Sequence, residues 1–295
     1  MTSTEKSLNI IGCGKVGKTL GKLWAESGAF QINDVLNRSI ESSRAAVRFV
    51  GAGRPVARLD RMSAADVCLI ATPDASIPEC SRALAASGLL RRGDIVFHCS
   101  GALPSREMAA VKGSGALAVS VHPVKTFTDP ALDVETFAGT HCGAEGDAEG
   151  LGVICDAFER IGGNAFRINP DSKSLYHAAS VIVCNYLTAL MEVGIQTFTQ
   201  AGVPRETAMQ IIDPIARQTV QNVFDVGAAR ALTGPIARGD SEVVDSQLTA
   251  MREWNPAYAE LYRLLGAVAL ELSREQGSAS AENLAALSRI LRKDR

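Results

Sequence analysis

The stretch Ser7-Leu8-Asn9-Ile10-Ile11-Gly12-Cys13-Gly14-Lys15-Val16-Gly17-Lys18-Thr19-Leu20 decides how the first half of this chain folds. A short apolar run ends in Gly-x-Gly-x-x-Gly, and an amphipathic stretch follows it. The run reads as a buried strand and the stretch as a helix. Glycines permit the tight turn between them. The helix start then turns free N–H groups and a positive dipole end toward the loop. Strand, glycine loop and helix in this order are what the binding of a dinucleotide pyrophosphate requires. Gly12, Cys13, Gly14, Lys15, Val16 and Gly17 are therefore expected to line a cofactor.

Outward from this motif, short apolar runs alternate with amphipathic stretches. Strands are predicted at residues 8–11, 31–36, 67–71, 95–99, 116–121 and 165–168. Helices fit between them, for example at 16–27, 75–87 and 148–161. Strands alternating with helices imply βαβ units and a mainly parallel sheet. After Asn169-Pro170-Asp171 the pattern becomes helical throughout. A helix capped by Asp171 or Ser172 is predicted to run to about residue 200. Gly202-Val203-Pro204 breaks it, a helix at 205–223 follows, and Leu232 to Asp240 reads as a loop between glycines and a proline. Two or three helices close the chain. The expected organisation is a nucleotide-binding α/β domain at 1–168 and a helical domain at 169–295.

Bulk properties exclude several classes. The 30 basic and 32 acidic residues give a net charge of −2, so no basic surplus draws the chain to nucleic acid or to a membrane surface. The start of the chain is polar and carries no signal-peptide pattern. The seven cysteines form no CxxC pair, and the odd count with several in apolar runs reads as reduced thiols in a cytoplasmic protein. His98-Cys99 and His141-Cys142 lack metal-ligand spacing, so no metal site is expected. The apolar stretch 175–195 holds His177, Asn185 and Glu192. Those groups disfavour a membrane span and favour a buried helix at a domain or subunit interface.

The end of the second strand bears on the cofactor. A ribose diol is usually held there by Asp or Glu, and a 2′-phosphate by cations and hydroxyls. Here the residues are Asn37, Arg38 and Ser39, with Arg44 in the following helix. Asp34 lies mid-strand and could serve a ribose only if the register slipped. This chemistry favours NADP(H) over NAD(H). Thr72 and Pro73 end the third predicted strand, and Ser100 follows the fourth. Ligands of open parallel sheets lie beyond such strand ends, so these residues should border the nicotinamide ribose and substrate.

Reduction of a carbonyl or imine needs a proton donor and groups that fix the substrate. His122 and Lys125, in Val121-His122-Pro123-Val124-Lys125-Thr126-Phe127, are placed after a strand. Lys173, Tyr176, His177 and Asn185 share the long helix. Lys173 and His177 are i,i+4 neighbours, and a cation at a helix start opposes the dipole, so Lys173 suggests another role. Lys173, His177 and His122 are the catalytic candidates. Lys125, Ser100, Asn185 and Arg238 are the substrate-binding candidates.

Taken together, Gly12 to Gly17, Asn37-Arg38-Ser39, His122 to Phe127, Lys173 to Val181 and Leu232-Thr233-Gly234-Pro235-Ile236-Ala237-Arg238-Gly239-Asp240 resemble one family. It consists of Rossmann-like proteins with C-terminal domain of unknown function 2520, presumed oxidoreductases. It looks like a branch of the superfamily of pyrroline-5-carboxylate reductase, ketopantoate reductase and the 6-phosphogluconate and hydroxyisobutyrate dehydrogenases. The resemblance implies a helical C-terminal domain of the 6-phosphogluconate dehydrogenase-like type, a homodimer, and NADP(H). It also implies a catalytic lysine at Lys173, although the family branch with that lysine has asparagine where His177 stands. His122-Pro123 is similar to a motif of prephenate dehydrogenases. The expected function is NADPH-dependent reduction of a small carboxylated 2-oxo or imino compound. Ketopantoate reduction and a non-catalytic NADP-binding sensor are the alternatives.

Overall fold

The computed structural model describes residues 5–292 of the chain; the first four residues of the polar start lie outside them. Eight strands are β1 (Ser7–Ile11), β2 (Gln31–Leu36), β3 (Arg54–Val56), β4 (Val67–Ile70), β5 (Ile95–His98), β6 (Leu117–Pro123), β7 (His141–Gly146) and β8 (Asn164–Arg167). They form one sheet in the order β3-β2-β1-β4-β5-β6-β7-β8. Every pair is parallel except β6 with β7. The first six strands have the doubly wound order, whose ligand crevice lies where the winding reverses, between β1 and β4.

The residues explain the layers. Strands β4 and β5 (Val-Cys-Leu-Ile and Ile-Val-Phe-His) are buried throughout, as expected of central parallel strands covered on both faces. Trp24 ties helix Lys15–Ser27 to the rest. Its ring meets Phe30, Phe97 and Phe158 edge-on at 5.4, 5.9 and 5.3 Å, and its Nε1 donates to Ala157 O at 3.0 Å. Buried aromatic clusters of this kind add to stability beyond their area, and the indole N–H is satisfied.

Two strands escape the sequence pattern. β3 has three residues and a proline. β7 reads His-Cys-Gly-Ala-Glu-Gly, with two glycines and a buried carboxylate in place of apolar alternation. The expected helices 16–27, 75–87 and 148–161 appear as Lys15–Ser27, Ile77–Ala86 and Ala148–Glu159.

After β8 every described element is helical. The helix expected at about 172–200 is Lys173–Val181, then a π-helical Ile182–Tyr186, then Leu187–Gln200. Neither Asp171 nor Ser172 caps it; Asn169 instead accepts from Asp171 N at 2.9 Å in the turn before it. By compactness the chain splits into two units, one up to Cys184 and one from Asn185. The second unit holds helices Arg205–Val226, Ser241–Trp254, Pro256–Gln276 and Ala281–Leu291, with a small core of Val244, Leu270, Leu287 and Leu291.

The reading of 175–195 as a buried helix does not hold within one chain. Leu175, Ile182, Val183 and Tyr186 are each more than half exposed. The segment Pro170–Gln200 is long and apolar enough to cross a membrane by length and composition. It also carries Glu192, ion-paired to Arg205 at 2.8 Å, a pair that a bilayer interior would penalise.

Candidate functional site

The C-terminal ends of β1, β4, β5 and β6 lie side by side on one edge of the sheet. The glycine loop opens at the first of them. Gly12 has φ +82°, and a Cβ there would stand 2.5 Å from Thr72 Cγ2 and 2.7 Å from Thr72 N. Only glycine permits both the conformation and this closeness. Gly14, by contrast, is exposed, and a Cβ there would find only Gly12 O at 3.9 Å. No side chain among the described residues caps helix Lys15–Ser27, so its first-turn N–H groups are left for a ligand. Cys13 is buried in the loop, and burial pushes its thiol up to about 12, so it is neutral. A cradle open at Gly14, with free donors behind it, fits a pyrophosphate.

The end of β2 is also laid out for an anion. Ser39 caps helix Ile40–Val50, its Oγ accepting from Ser42 N at 3.2 Å. Its hydroxyl proton remains to donate. Asn37 is fixed by Ser43 Oγ, which accepts from its N–H at 2.9 Å. Arg38 is exposed and has no ion-pair partner among the described residues. Asp34 is not available to a ribose. It is fully buried, accepts from Arg54 Nε and Nη2 at 2.7 and 2.9 Å, and accepts from Ser63 N at 2.6 Å. Burial alone would raise its carboxyl, but the Arg54 and Ser63 bonds hold it below the ordinary range.

The neighbouring strand ends carry the polar cluster. Ser100 follows β5. Its Oγ donates to Asp74 Oδ2 at 2.8 Å and accepts from Leu103 N at 2.9 Å, so it sets the turn and holds Asp74 in the segment that follows β4. His122 lies on β6 itself rather than after it, opposite Gly143 of β7. Its Nδ1 is 3.0 Å from Tyr176 Oη. Its ring stands edge-on to His177, with 5.6 Å between centroids. Both rings press on Gly101. A Cβ at Gly101 would lie 2.8 Å from His122 Nε2 and closer still to His177 Nδ1. The absent methyl is what lets the two imidazole nitrogens converge. His177 Nδ1 is buried and has no hydrogen-bond partner among the described residues. Such an orphan costs free energy unless a ligand uses it. Burial, followed by the charges of His177 and Lys173, lowers His122 to about 4, so it is a neutral imidazole near pH 7. Burial raises Tyr176 to about 12, keeping the phenol protonated.

Lys173 is brought to the same place but beneath it. The side chain is fully buried. Its Nζ donates to Ser120 Oγ and lies 3.4 Å from Glu145 Oε1. As placed, the side chain faces these two groups and has no exposed surface, which the sequence reading of a proton donor does not anticipate. The residues that sequence reasoning does not single out are Glu145, Ser120, Tyr176 as a partner of His122, and Gly101. Of the other expected site residues, Lys125 donates to Thr136 Oγ1 at 2.9 Å. Thr72 and Pro73 follow β4 as expected. Asn185 is exposed in the π-helical stretch and belongs to the second unit. Arg238, in that unit as well, is exposed and 3.4 Å from Asp240.

Comparison with known proteins agrees with this fold. No curated protein matches the chain. Among solved structures, protein TM1727 from Thermotoga maritima is 25% identical, with a TM-score of 0.71 over 91% of this chain and 99% of that one. BF3122 from Bacteroides fragilis, a candidate NADP oxidoreductase, is 19% identical, with a TM-score of 0.69 over 92% and 98%. Pyrroline carboxylate reductase from Plasmodium falciparum, solved with NADP bound, is 12% identical, with a TM-score of 0.56 over 97% of each chain. Residues 1–123 match the model of a Rossmann-like domain and residues 140–269 that of a domain of unknown function, DUF2520. The chain is thus a Rossmann-like protein carrying a DUF2520 domain, the pairing that its motifs resemble.

Proposed function

We propose that this protein is an oxidoreductase that uses NADPH in preference to NADH and reduces a small carboxylated 2-oxo or imino compound. The observation that carries the reading is the convergence of His122 Nε2 and His177 Nδ1 on Gly101, on the sheet edge that also presents the glycine cradle. Gly12 to Gly17 would hold the pyrophosphate, Arg38 and Ser39 the 2′-phosphate, and Thr72 and Pro73 the nicotinamide ribose. Bound NADPH supplies a hydride, and the chain must supply the proton.

His122, Tyr176 and His177 are suited to that second task. If Tyr176 donates to His122 Nδ1, the imidazole proton sits on Nε2 and faces Gly101. His122 can then hydrogen-bond the oxygen or nitrogen that gains charge, with Tyr176 behind it as a proton source. His177, with its free Nδ1, is the second donor or acceptor at that point. Ser100 positions Asp74 and the turn beneath. Lys125 and Arg238 are proposed as carboxylate-binding groups, each drawn from a weak surface contact. A sensor would be favoured by a polar strip sealed off by ion pairs with no cavity beside the nicotinamide. Lys173 is sealed in that way, but His177 is not, which favours catalysis.

A homodimer is the proposed assembly. The second unit has an apolar groove of about 1880 Å³, lined by residues such as Leu190, Phe198, Ile212, Trp254, Tyr258 and Leu265. Small-molecule pockets are roughly 300–1,000 Å³. The groove is better matched to helices of a second copy, and light scattering at micromolar concentration should give twice the chain mass.

The function is tested by loss of NADPH absorbance over a panel of 2-oxo acids and cyclic imines. Ketopantoate and pyrroline carboxylate belong in it, with NADH in parallel and His122→Gln as control. Turnover of one compound, lost in His122→Gln with NADPH binding kept, is the expected result. Silence across the panel despite tight NADPH binding would count against reduction and for the sensor.

A further inference from the structure

Lys173 opens helix Lys173–Val181, where the helix dipole opposes a cation, and it is fully buried there. Burying an ion pair gives little net stability against an apolar replacement, so its presence calls for another explanation. Its surroundings supply one. Glu145 on β7 takes Lys173 on Oε1, accepts from Ser105 N on the same oxygen at 2.7 Å, and accepts from Ser105 Oγ on Oε2 at 2.7 Å. Ser120 on β6 takes the other Lys173 bond and lies 3.3 Å from His98 Nδ1 on β5. Two strands therefore hold the ammonium directly, while His98 on a third strand and Ser105 hold the side chains that receive it.

That ammonium is next to the proton-handling group on two counts. Ser120 and His122 are i,i+2 on β6 and share a face of the sheet. Tyr176 and His177 are i+3 and i+4 from Lys173, one turn along the same helix. We propose that Lys173, balanced by Glu145, is a positioning residue: it locks Tyr176 and His177 against His122 and sets its own charge beside that ring, without touching the substrate. The inference takes from the proposed function only what His122 does; the coupling between Lys173 and His122 stands without it.

The groups around His122 are few. Tyr176 and His177 face it from the helix, Gly101 from the loop after β5, and Gly143 from β7. No carboxylate among the described residues bonds to it; the carboxylate that balances Lys173 is Glu145, on the far side of Ser120. Burial is the main cause that keeps His122 neutral, with the charges of His177 and Lys173 acting in the same direction. His98 is held down, to about 3, by burial first and Lys173 second. Lys173 itself is lowered by burial, while Glu145, Cys99 and Asp74 act to keep it charged.

The test is a histidine titration by NMR, which needs no substrate. The chain has four histidines, His98, His122, His141 and His177, assignable by single His→Gln variants. Native protein is compared with Lys173→Met and with Glu145→Gln/Lys173→Met. The double variant leaves no unpaired buried carboxylate, so it guards against a single variant that fails to fold. Expected is a rise of the His122 midpoint by about half to one pH unit in each variant. Where turnover is found, the acidic limb of the pH profile should rise with it and the alkaline limb should persist. A His122 midpoint unchanged in both variants would overturn the proposal. So would loss of the alkaline limb alone, because that is the mark of Lys173 as the acid. A silent substrate panel with a shifted His122 would sink the proposed function and leave this inference standing.

Discussion

Replacing Arg38 by alanine should separate NADPH from NADH. Arg38 is exposed, unpaired among the described residues, and one position before the Ser39 cap of helix Ile40–Val50. The helix N-terminus and a guanidinium make an anion site that a 2′-phosphate would fill. A hydrogen bond to a charged group is worth about 1.5–3 kcal/mol, and an exposed one belongs at the low end. At about 1.4 kcal/mol per tenfold, Arg38→Ala should weaken NADPH binding roughly 10- to 30-fold. NADH has no phosphate at that place and should lose less than about threefold on the same scale. The assay is titration of each reduced cofactor by its fluorescence, with no substrate present. Ser39→Ala is the companion variant. It loses a hydroxyl to the phosphate and also a helix cap worth about 1 kcal/mol, so its melting temperature should fall where that of Arg38→Ala does not. Equal weakening of NADPH and NADH in Arg38→Ala would refute the reasoning, as would a native preference for NADH. Asp34 cannot rescue an NADH preference while both its oxygens are committed to Arg54.

Gly101→Ala should abolish turnover more than cofactor binding: the methyl must push His122 back from 2.8 Å to ordinary contact near 3.4 Å, and misplacements approaching 1 Å can cost about 100-fold in rate. Native-like kinetics in that variant would contradict the placement of His122 and His177. Tyr176→Phe should raise the histidine's tautomeric freedom and lower kcat while leaving KM within a few-fold; an unchanged kcat would remove Tyr176 from the proton path. Stability should fall between pH 6.5 and 4.5. His98 and His122 titrate in the fold at about 3 and about 4 against 6.5 when unfolded, so their stabilisation is full above 6.5 and is lost as the pH falls toward the folded values. At about 1.36 kcal/mol per unit for each group, the loss by pH 4.5 is on the order of 5 kcal/mol. Urea midpoints at the two pH values measure it. A midpoint that does not move over this window would contradict the neutral buried imidazoles, because carboxylates such as Asp34 and Asp66 lose their contribution only at lower pH.

The parts of this fold legible in the sequence are those built by local pattern. The glycine loop, the apolar strands around it and the change to helix after Asn169 all depend on neighbours in the chain. The parts that were not legible depend on distant partners. β7 has two glycines and a glutamate where alternation would need apolar residues, and that glutamate is there because Lys173, 28 positions later, meets it. Asp34 looks like a misplaced ribose ligand until Arg54 and Ser63 are brought to it. Lys173 is suggested as an acid by its type and position; its burial against Glu145 and Ser120 is not visible in the sequence. The exposed face of the 175–195 helix has the same cause in reverse. Its apolarity is visible in sequence, but its exposure within one chain is not.

The reversal of direction at β7 ties these observations together. A Rossmann sheet ending at β6 would leave His122 at an edge, with no strand to fix the helix that follows. Running antiparallel to β6, β7 sets Glu145 directly across from Ser120. The two side chains then form a polar socket that only a cation can fill without leaving a buried charge unpaired. Lys173 fills it, and the helix register puts Tyr176 and His177 one turn further on, against His122. Ser120 and His122 lie in or beside the Rossmann-like segment, while Glu145, Lys173, Tyr176 and His177 lie in the DUF2520 segment. The charged socket is thus the joint by which one segment's helix is aligned on the other's strand. Any substitution that empties it should disturb the imidazole pair before it disturbs the glycine loop, which rests on β1, β2 and β4 and shares no residue with the joint.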